Sequence, residues 1–336
     1  MKKAKISVIH VNYLKQPAEA QPSGENYTDA AALEYIRANL DMACDFMHTA
    51  GKDGADIVCT NEDFVNAGGY DNALIEKATG EIGSRLRAIA KQYSMYVASN
   101  NNEITGGKKY NVSTLYGRDG EVTGKYRKVH LADRERWEST PGDAFPVFET
   151  DIGNIGFAIC YDMCFPEVCR ILSLNGADIV IHQTQGWGTL GKSGTMVGES
   201  FMRTRAAENC VYVIVAKVNF GNDEGRSCVI DNYGNFIAES SRTEDELLTA
   251  EFALDFDLYD KYGFDNYFAG VLSTKARQLL ARRPDLYSAF TDMHPALNRK
   301  YFNYKLADTP EAGRKIMEDW ESKTESEKKK YYWQVL

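Results

Sequence analysis

Residues 155–167 read IGFAICYDMCFPE and decide the fold. The apolar run 155–159 has the length and composition of a buried strand, and Pro166 with Glu167 is typical of the first turn of a helix. Cys160 therefore lies where a strand turns into a helix. Free backbone N–H groups and the positive end of a helix dipole favour a thiolate at such a turn. The position predicts a reactive thiol, although a cysteine in an apolar run is more often a small buried hydrophobe.

The rest of the chain alternates short runs rich in Val and Ile with longer segments of helical period. Strands are predicted over residues 5–11, 56–60, 96–100, 112–116, 156–160, 178–182 and 211–217, helices over 30–50, 80–92, 167–175 and 195–209, and a hairpin over 227–230 and 236–238. The run Gly-Ala-Asp-Ile-Val at 54–58 recurs at 176–180, either as a weak internal repeat or as a common helix-to-strand joint. Such alternation predicts an α/β layered fold.

Composition and charge exclude several classes of protein. The 336 residues are 43% hydrophobic and 26% charged, which indicates a folded globular chain. The formal net charge of -9 argues against nucleic acid or an anionic membrane surface as a partner. No apolar run has the about 20 residues needed to span a bilayer, and the run 6–11 is too short for a signal peptide. A cytoplasmic protein is therefore expected.

The seven cysteines form an odd set in a chain without an export signal, which favours reduced thiols over a disulfide framework. Candidate partners for one reactive thiol follow other strands. Glu62 lies just past the predicted strand 56–60, where partial burial would let a carboxylate act as a base. Lys128 could stabilise a thiolate and donate to a developing oxyanion. Alone, Glu62 is an ordinary loop acid and Lys128 a surface charge, so the interpretation depends on their combination with Cys160.

Several segments together resemble the nitrilase, or carbon–nitrogen hydrolase, superfamily over about residues 4–285. The matching segments are 56–62, 124–131, 141–143 (Pro-Gly-Asp), 156–167 and 205–209 (Arg-Ala-Ala-Glu-Asn). Each motif alone is weak, but their order and spacing agree with the family. The resemblance implies a four-layer α-β-β-α sandwich, commonly dimerised through a helical face.

The resemblance also implies a catalytic set of Glu, Lys and Cys. It makes Cys160 the nucleophile, Glu62 the general base and Lys128 the oxyanion stabiliser. A second glutamate of the family corresponds to Glu135, with Glu138 as its rival. The implied reaction is hydrolysis of a non-peptide C–N bond through a thioester on Cys160. It releases ammonia and requires neither a metal nor an organic cofactor.

A departure from the family pattern bears on the substrate. Relatives that act on carboxylate-bearing substrates commonly have arginine at the position of Cys164, so the bidentate clamp is missing there. A neutral or cationic substrate is thereby favoured, although Arg127, Arg134 or Arg203 could supply the charge from elsewhere. The expected partner is a small-molecule amide or an N-carbamoyl amine.

Candidate substrate contacts lie just past the ends of the predicted strands. They are Phe64, Tyr161, Gln185 and Trp187. Core packing competes as the role of Phe64. Gln185 and Trp187 belong to a polar, glycine-rich loop in which a large ring has no obvious core role, so binding is favoured there.

The chain is expected to divide into a carbon–nitrogen hydrolase domain over 1–285 and a C-terminal extension over 286–336. The extension contains a charge run and several aromatic residues. It is either a solvated tail or a docking element on a partner subunit. A homodimer or a larger homo-oligomer is expected.

Other functions remain open at this point. A nitrilase or an N-acyltransferase could use the same residues, although Tyr161 and Asp162 after the cysteine resemble amidases and carbamoylases rather than nitrilases. A catalytically inactive interaction protein could share the fold. A zinc site could use Cys160, Cys164 and Cys169 with a histidine, but their spacing does not match the usual zinc pairs.

Overall fold

The computed structural model describes residues 2–24, 26–132, 135–186, 197–219, 225–254, 275–276, 280–288, 291 and 322. Within these residues, two six-stranded sheets form the centre of the molecule. The first sheet contains β1 (Lys2–His10), β2 (Ile57–Cys59), β3 (Tyr96–Thr105), β4 (Lys108–Tyr116), β5 (Val122–Arg127) and β12 (Glu246–Leu254). The second contains β6 (Val147–Phe148), β7 (Ile155–Ile159), β8 (Ile179–Thr184), β9 (Tyr212–Lys217), β10 (Cys228–Ile230) and β11 (Phe236–Glu239).

Both sheets combine parallel and antiparallel strands, and their strand orders correspond. The order is β12-β1-β2-β3-β4-β5 in the first and β11-β10-β9-β8-β7-β6 in the second. In each sheet three central strands are parallel, namely β1, β2 and β3 and then β7, β8 and β9. Outer strands pair with them antiparallel. Because parallel strands end at the same edge, the segments after β2, β7 and β8 emerge close together.

Helices cover the outer faces of the two sheets. They are α1 (Asp29–Lys52), α2 (Asn72–Tyr93), α4 (Pro166–Leu174) and α5 (Val197–Asn209), while the short α3 (Glu135–Glu138) lies in the connection between the sheets. One hydrophobic cluster lies between the first sheet and α1 and α2, a second between the sheets, and a third between the second sheet and α4 and α5. The chain thus has the α-β-β-α layers of the predicted sandwich, and the predicted fold class is confirmed.

The repeated Gly-Ala-Asp-Ile-Val run forms the same joint twice. It follows α1 and opens β2, and it follows α4 and opens β8. Gly54 and Gly176 have φ angles of +75° and +95°, a left-handed region that side chains with a Cβ rarely adopt. A glycine occurs at each position because the chain must end a helix and enter a buried parallel strand there, which requires this backbone conformation.

The structure differs from the sequence-based elements mainly at their ends and at the sheet edges. Helix α2 begins at Asn72 rather than at residue 80, because the Asp71 carboxylate caps it by accepting from the Leu74 N–H at 2.9 Å. The prediction missed β5, β6 and β12. In β5, Gly124 interrupts the residue pattern that predicts a strand. Glycine is needed there because a Cβ at this position would lie 2.0 Å from the Phe148 ring.

The C-terminal extension predicted over 286–336 falls almost entirely outside the described residues. Its boundary, its docking role and the predicted oligomer stay predictions. Among the described residues, each helix is too short or too polar to cross a lipid bilayer.

A buried amide links the two sheets. Gln183 on β8 is fully buried, and its amide nitrogen donates to the backbone carbonyls of Thr60 at 2.9 Å and Ala98 at 3.2 Å. Its amide oxygen accepts from the Ser113 hydroxyl at 2.6 Å. These bonds connect β8 of the second sheet to the segment after β2 and to β3 and β4 of the first sheet. The predicted site residue Glu62 follows directly after this segment.

We expect the variant Gln183→Ala to lower the free energy of unfolding by about 3 kcal/mol, because it leaves buried polar groups without a partner. Urea denaturation measures this change. Gln92→Ala, at an exposed position of α2, removes the same side chain and should change stability by less than about 0.5 kcal/mol. Equal stability of the Gln183 variant and the wild type would contradict an inter-sheet role.

Candidate active site

The polar residues predicted from separate motifs meet at one place between the sheets. The Lys128 ammonium lies 2.8 Å from Glu62 Oε1 and 2.7 Å from Glu135 Oε2. The lysine and Glu62 are almost fully buried, with 2% and 5% of their surfaces exposed. The Cys160 thiol, which is half-buried, interacts with both Glu62 and Lys128. The structure therefore brings all four predicted residues together.

Glu62 is held on both of its carboxylate oxygens and on its backbone. Its Oε1 accepts from Lys128 and from the Asn111 amide nitrogen, the latter at 2.9 Å. Its Oε2 accepts from the backbone N–H of Gln185 at 3.1 Å. The Tyr13 hydroxyl donates to the Glu62 carbonyl at 3.0 Å. These contacts fix the carboxylate in one orientation next to the thiol.

Lys128 follows β5 and is fixed through its backbone. Its N–H donates to the Asn111 carbonyl at 2.9 Å, and its carbonyl accepts from the Gly142 N–H at 2.8 Å. A Cβ on Gly142 would lie 2.2 Å from the Arg127 carbonyl oxygen. The glycine of the Pro-Gly-Asp motif is thus needed because its backbone packs directly on the segment that carries the lysine.

Cys160 occupies a tight turn between β7 and α4. Its φ angle is +44°, in the left-handed region that is uncommon for a residue with a side chain. The Asp162 carboxylate closes this turn by accepting from the Ile159 N–H at 2.9 Å. Backbone strain of this kind is typical of functional sites, where surrounding contacts hold it in place.

Asp162 also ties the turn to the segment of Lys128. This fully buried carboxylate accepts from the Tyr126 hydroxyl at 2.6 Å and from the backbone N–H of His130 at 2.9 Å. The His130 ring also contacts it and stacks on Phe165 with ring centres 3.9 Å apart. The turn of Cys160 and the segment of Lys128 are therefore held together by one carboxylate.

The charge state of the thiol differs from the sequence-based expectation. Burial first, and then the Glu62 carboxylate, raise the pKa of Cys160 to about 12, although the Lys128 ammonium acts in the opposite direction. The prediction that the turn stabilises a thiolate was wrong, because desolvation and the adjacent negative charge outweigh the lysine. Cys160 is a neutral thiol in the free site, and a base must take its proton.

The lysine keeps its charge despite its burial. Burial by itself lowers the pKa of Lys128, but the surrounding carboxylates, Glu62 first and then Glu135, reverse that effect and raise it. Lys128 is therefore an ammonium at neutral pH. It can donate to an oxyanion without first acquiring a proton.

The two candidates for the second glutamate occupy different places. Glu135 contacts Lys128, and its Oε1 accepts from the Asn111 amide nitrogen at 2.9 Å. Glu138, one turn further along α3, lines an open cavity of about 480 Å³ together with Trp137 and Lys109. Of the two carboxylates, only that of Glu135 is placed against the described cluster around Lys128.

The predicted substrate contacts have different surroundings. Tyr161 directly follows the nucleophile, and its half-buried ring meets Phe165 edge to face. Gln185 contacts Glu62 through its backbone and Tyr13 through its side chain. Phe64, 3% exposed, belongs to the cluster beneath α1 and α2, a position for core packing rather than for substrate contact. Trp187 lies outside the described residues.

Sequence reasoning missed several residues that build the site. Asn111, Tyr13 and Asp162 carry no strong motif of their own. The available signal was the run of polar residues in strands that must be buried, since a polar side chain inside a sheet needs a partner. Asn100 and Asn111 are two such residues, and both lie at the site.

Two residues of the alternative zinc site, Cys169 and His182, make other contacts in the structure. The Cys169 thiol contacts the Met163 sulfur, and the His182 ring contacts the Ala158 carbonyl at 3.1 Å. In the part of the chain that the structure describes, no three His, Cys, Asp or Glu side chains form a group that could hold a metal ion.

Comparison with known proteins places this geometry in a family. The family model named carbon-nitrogen hydrolase matches residues 24–256. The chain belongs to the carbon–nitrogen hydrolase family. The predicted superfamily is thereby confirmed.

Relatives of this carbon–nitrogen hydrolase include amidases. It is 32% identical to the omega-amidase NIT2 of Xenopus tropicalis over 237 residues, which is 65% of this chain and 84% of the relative. It is 35% identical to a probable nitrilase of Schizosaccharomyces pombe over 151 residues, 44% of this chain and 54% of that protein. The structural match to an amidase from Nesterenkonia sp. AN1 covers 85% of this chain and 99% of the amidase chain, with a TM-score of 0.65 and 22% sequence identity. The likeness to that structure shows the shared fold.

The raised pKa of the Cys160 thiol gives a test of the site's electrostatics. Glu62→Gln removes a negative charge that raises this pKa, so the thiolate fraction at a given pH should increase. We expect the alkylation rate of Cys160 by iodoacetamide at pH 8 to rise about tenfold for each unit by which the pKa falls. A Cys164→Ser background removes the exposed competing thiol. Glu138→Gln should leave the rate unchanged. A slower reaction of the Glu62 variant would show that Glu62 affects the thiol mainly as a proton acceptor and would contradict the dominance of its charge.

Proposed function

We propose that this protein hydrolyses the C–N bond of small linear amides, with Cys160 as nucleophile, Glu62 as general base and Lys128 as oxyanion donor. The observation that carries the proposal is the convergence of a half-buried thiol, a buried carboxylate and a buried ammonium at the end of β7. An amide carbon is a poor electrophile, so its hydrolysis needs an activated nucleophile and a donor for the oxyanion. These residues supply both.

The first half of the reaction forms a thioester. Glu62 accepts the proton of the Cys160 thiol as the sulfur attacks the carbonyl carbon and the carbon–oxygen π electrons move onto oxygen. The Lys128 ammonium and the backbone N–H of Tyr161 hold this oxyanion. The oxyanion then collapses, the C–N bond breaks, and the protonated Glu62 gives its proton to the departing nitrogen, which leaves as ammonia.

The second half returns the enzyme to its starting state. Glu62 accepts a proton from water as the hydroxide attacks the thioester carbonyl. The second oxyanion collapses, the C–S bond breaks, and the proton returns to the sulfur of Cys160. The products are a carboxylic acid and the free thiol. Glu135 assists by holding Lys128 in place rather than by exchanging a proton.

Amides are favoured as substrates by the relatives and by the residues around the thiol. The curated relatives include omega-amidases, and a Nesterenkonia amidase was captured with acrylamide on its active-site cysteine. N-Carbamoyl amines present the same carbonyl and a terminal nitrogen, so the same steps apply to them. The exposed Cys164 provides no cation for a substrate carboxylate, which favours a neutral or cationic remote group.

The decisive experiment is a panel of primary amides and N-carbamoyl amines with detection of ammonia. We expect turnover by the wild type and a loss of at least about 10³-fold in kcat for Cys160→Ala, because the covalent route requires the sulfur. Cys44→Ala is the matched control and should retain turnover, since that thiol lies on α1 in the cluster beneath the helices, away from the site. Intact-mass measurement after mixing with substrate should detect an acyl adduct on the wild type.

Two results would overturn the proposal. One is wild-type protein that releases no ammonia or acid from any member of the panel. The other is equal turnover by the wild type and by a folded Cys160→Ala variant.

A further inference from the structure

One amide side chain joins the two glutamates of the site. Asn111 lies on β4 and is 5% exposed. Its amide nitrogen donates to Glu62 Oε1 and to Glu135 Oε1, each at 2.9 Å. Both N–H bonds of that nitrogen are therefore used, one on each carboxylate. The Lys128 ammonium makes a second connection between the same two glutamates.

The orientation of this amide is set by a chain of contacts that starts at a backbone donor. The Asp63 N–H donates to Asn100 Oδ1 at 2.7 Å, and a backbone N–H cannot act as an acceptor. Asn100 Oδ1 is thus the accepting end, and its Nδ2 must face Asn111. This Nδ2 donates to Asn111 Oδ1 at 2.9 Å. Asn111 must then present its own Nδ2 to the two carboxylates.

The charges around this amide explain why its orientation matters. Two carboxylates share one ammonium, so the cluster of Glu62, Glu135 and Lys128 has a net charge of -1 when all are ionised. A carbonyl oxygen or a further carboxylate at position 111 would face both glutamates and repel their carboxylates, whereas an N–H group attracts each of them.

We propose that Asn111 is a positioning residue, oriented by Asn100, whose amide nitrogen holds the carboxylates of Glu62 and Glu135 in place and keeps Glu62 beside the Cys160 thiol. The inference rests on the proposed function for its effect on turnover. Its effect on the charge of the cluster is independent of any substrate. Asn100 contacts neither glutamate in the described contacts, yet it decides which atom of Asn111 they meet.

Titratable and charged groups reach the cluster from every neighbouring segment. They are Glu62 and Asp63 after β2, Lys128 after β5, Glu135 on α3, Cys160 after β7, His182 on β8 and Tyr13 after β1. The variants below change none of them. A change in the pH dependence therefore reports the group introduced at position 100 or 111.

The test compares Asn111→Asp with Asn100→Asp. At position 111 the new carboxylate meets the glutamates directly. In Asn100→Asp the new carboxylate still accepts from the Asp63 N–H but has no N–H to donate to Asn111. The Asn111 amide must then turn its nitrogen toward position 100 and its oxygen toward the glutamates. In both variants we expect the acid side of the kcat/KM profile to move to higher pH by about one unit or more. We also expect kcat to fall about 100-fold at neutral pH, with a smaller change in KM.

Asn101→Asp is the matched control. Asn101 is the next residue of β3, is equally buried, and donates its amide to the Asn102 carbonyl. Its substitution introduces the same charge on the same strand without reaching Asn111. We expect its pH profile to match that of the wild type. Asn111→Leu removes the amide without adding a charge, so it should lower kcat and move the pH profile less than Asn111→Asp does.

A second readout does not depend on turnover. Added negative charge near the thiol disfavours the thiolate, so iodoacetamide should alkylate Cys160 about tenfold more slowly at pH 8 in the Asn111→Asp and Asn100→Asp variants, in a Cys164→Ser background. Thermal melting of each variant confirms that it is folded. If the wild type turns over no amide, the proposed function fails while the alkylation rates still decide this inference.

The inference is overturned by any of three results. The first is a Cys160 alkylation rate in folded Asn100→Asp protein that equals the wild-type rate. The second is the same finding for folded Asn111→Asp protein. The third is a change in rate in the Asn101→Asp control as large as that in the two test variants. The first would show that Asn100 does not orient Asn111. The last would show that any buried charge in β3 has the same effect.

Discussion

The structure depends on a buried ammonium shared by a buried carboxylate and a half-buried one. Lys128 lies 2.8 Å from Glu62 and 2.7 Å from Glu135, with 2% of the lysine exposed. Taking such charges out of water costs several kcal/mol per ion, so each group requires its partners. The polar contacts of Asn111, Gln185 and the surrounding backbone meet this requirement. Breaking a buried pair typically costs about 3–5 kcal/mol, so the chemistry of the site and its folding are linked.

The fold meets this constraint by bringing the ends of its two sheets together. Glu62 follows β2 of the first sheet, whereas Cys160 follows β7 of the second. Gln183 and Asp162 fix the relation between them, the first by bonding across the sheets and the second by joining the turn of Cys160 to the segment of Lys128. The inter-sheet core contains a large apolar cluster, and its close packing allows the groups of the site little displacement.

The electrostatics of the site assign different tasks to its members. Burial and Glu62 hold Cys160 as a thiol, while the carboxylates keep Lys128 charged. A neutral thiol beside a carboxylate becomes nucleophilic when the proton moves between them, which limits unwanted reactions of a permanently charged sulfur. The same arrangement makes the reactivity of the cysteine sensitive to every charge and dipole near Glu62, including the amide of Asn111.

The sequence by itself determined the α/β class, most buried strands and the four residues that meet at the site, because each of these leaves a local pattern or a motif. The apolar run before Cys160 and the paired joints at Gly54 and Gly176 are examples. The sequence did not determine the charge state of the thiol, the role of Asn111 or the packing of Phe64. These properties arise from burial and from partners distant in the chain. Glu62 and Asn111 are 49 positions apart, and their contact leaves no local pattern in the sequence. Only the tertiary structure decided them, since desolvation and hydrogen-bond orientation exist once the sheets have closed on each other.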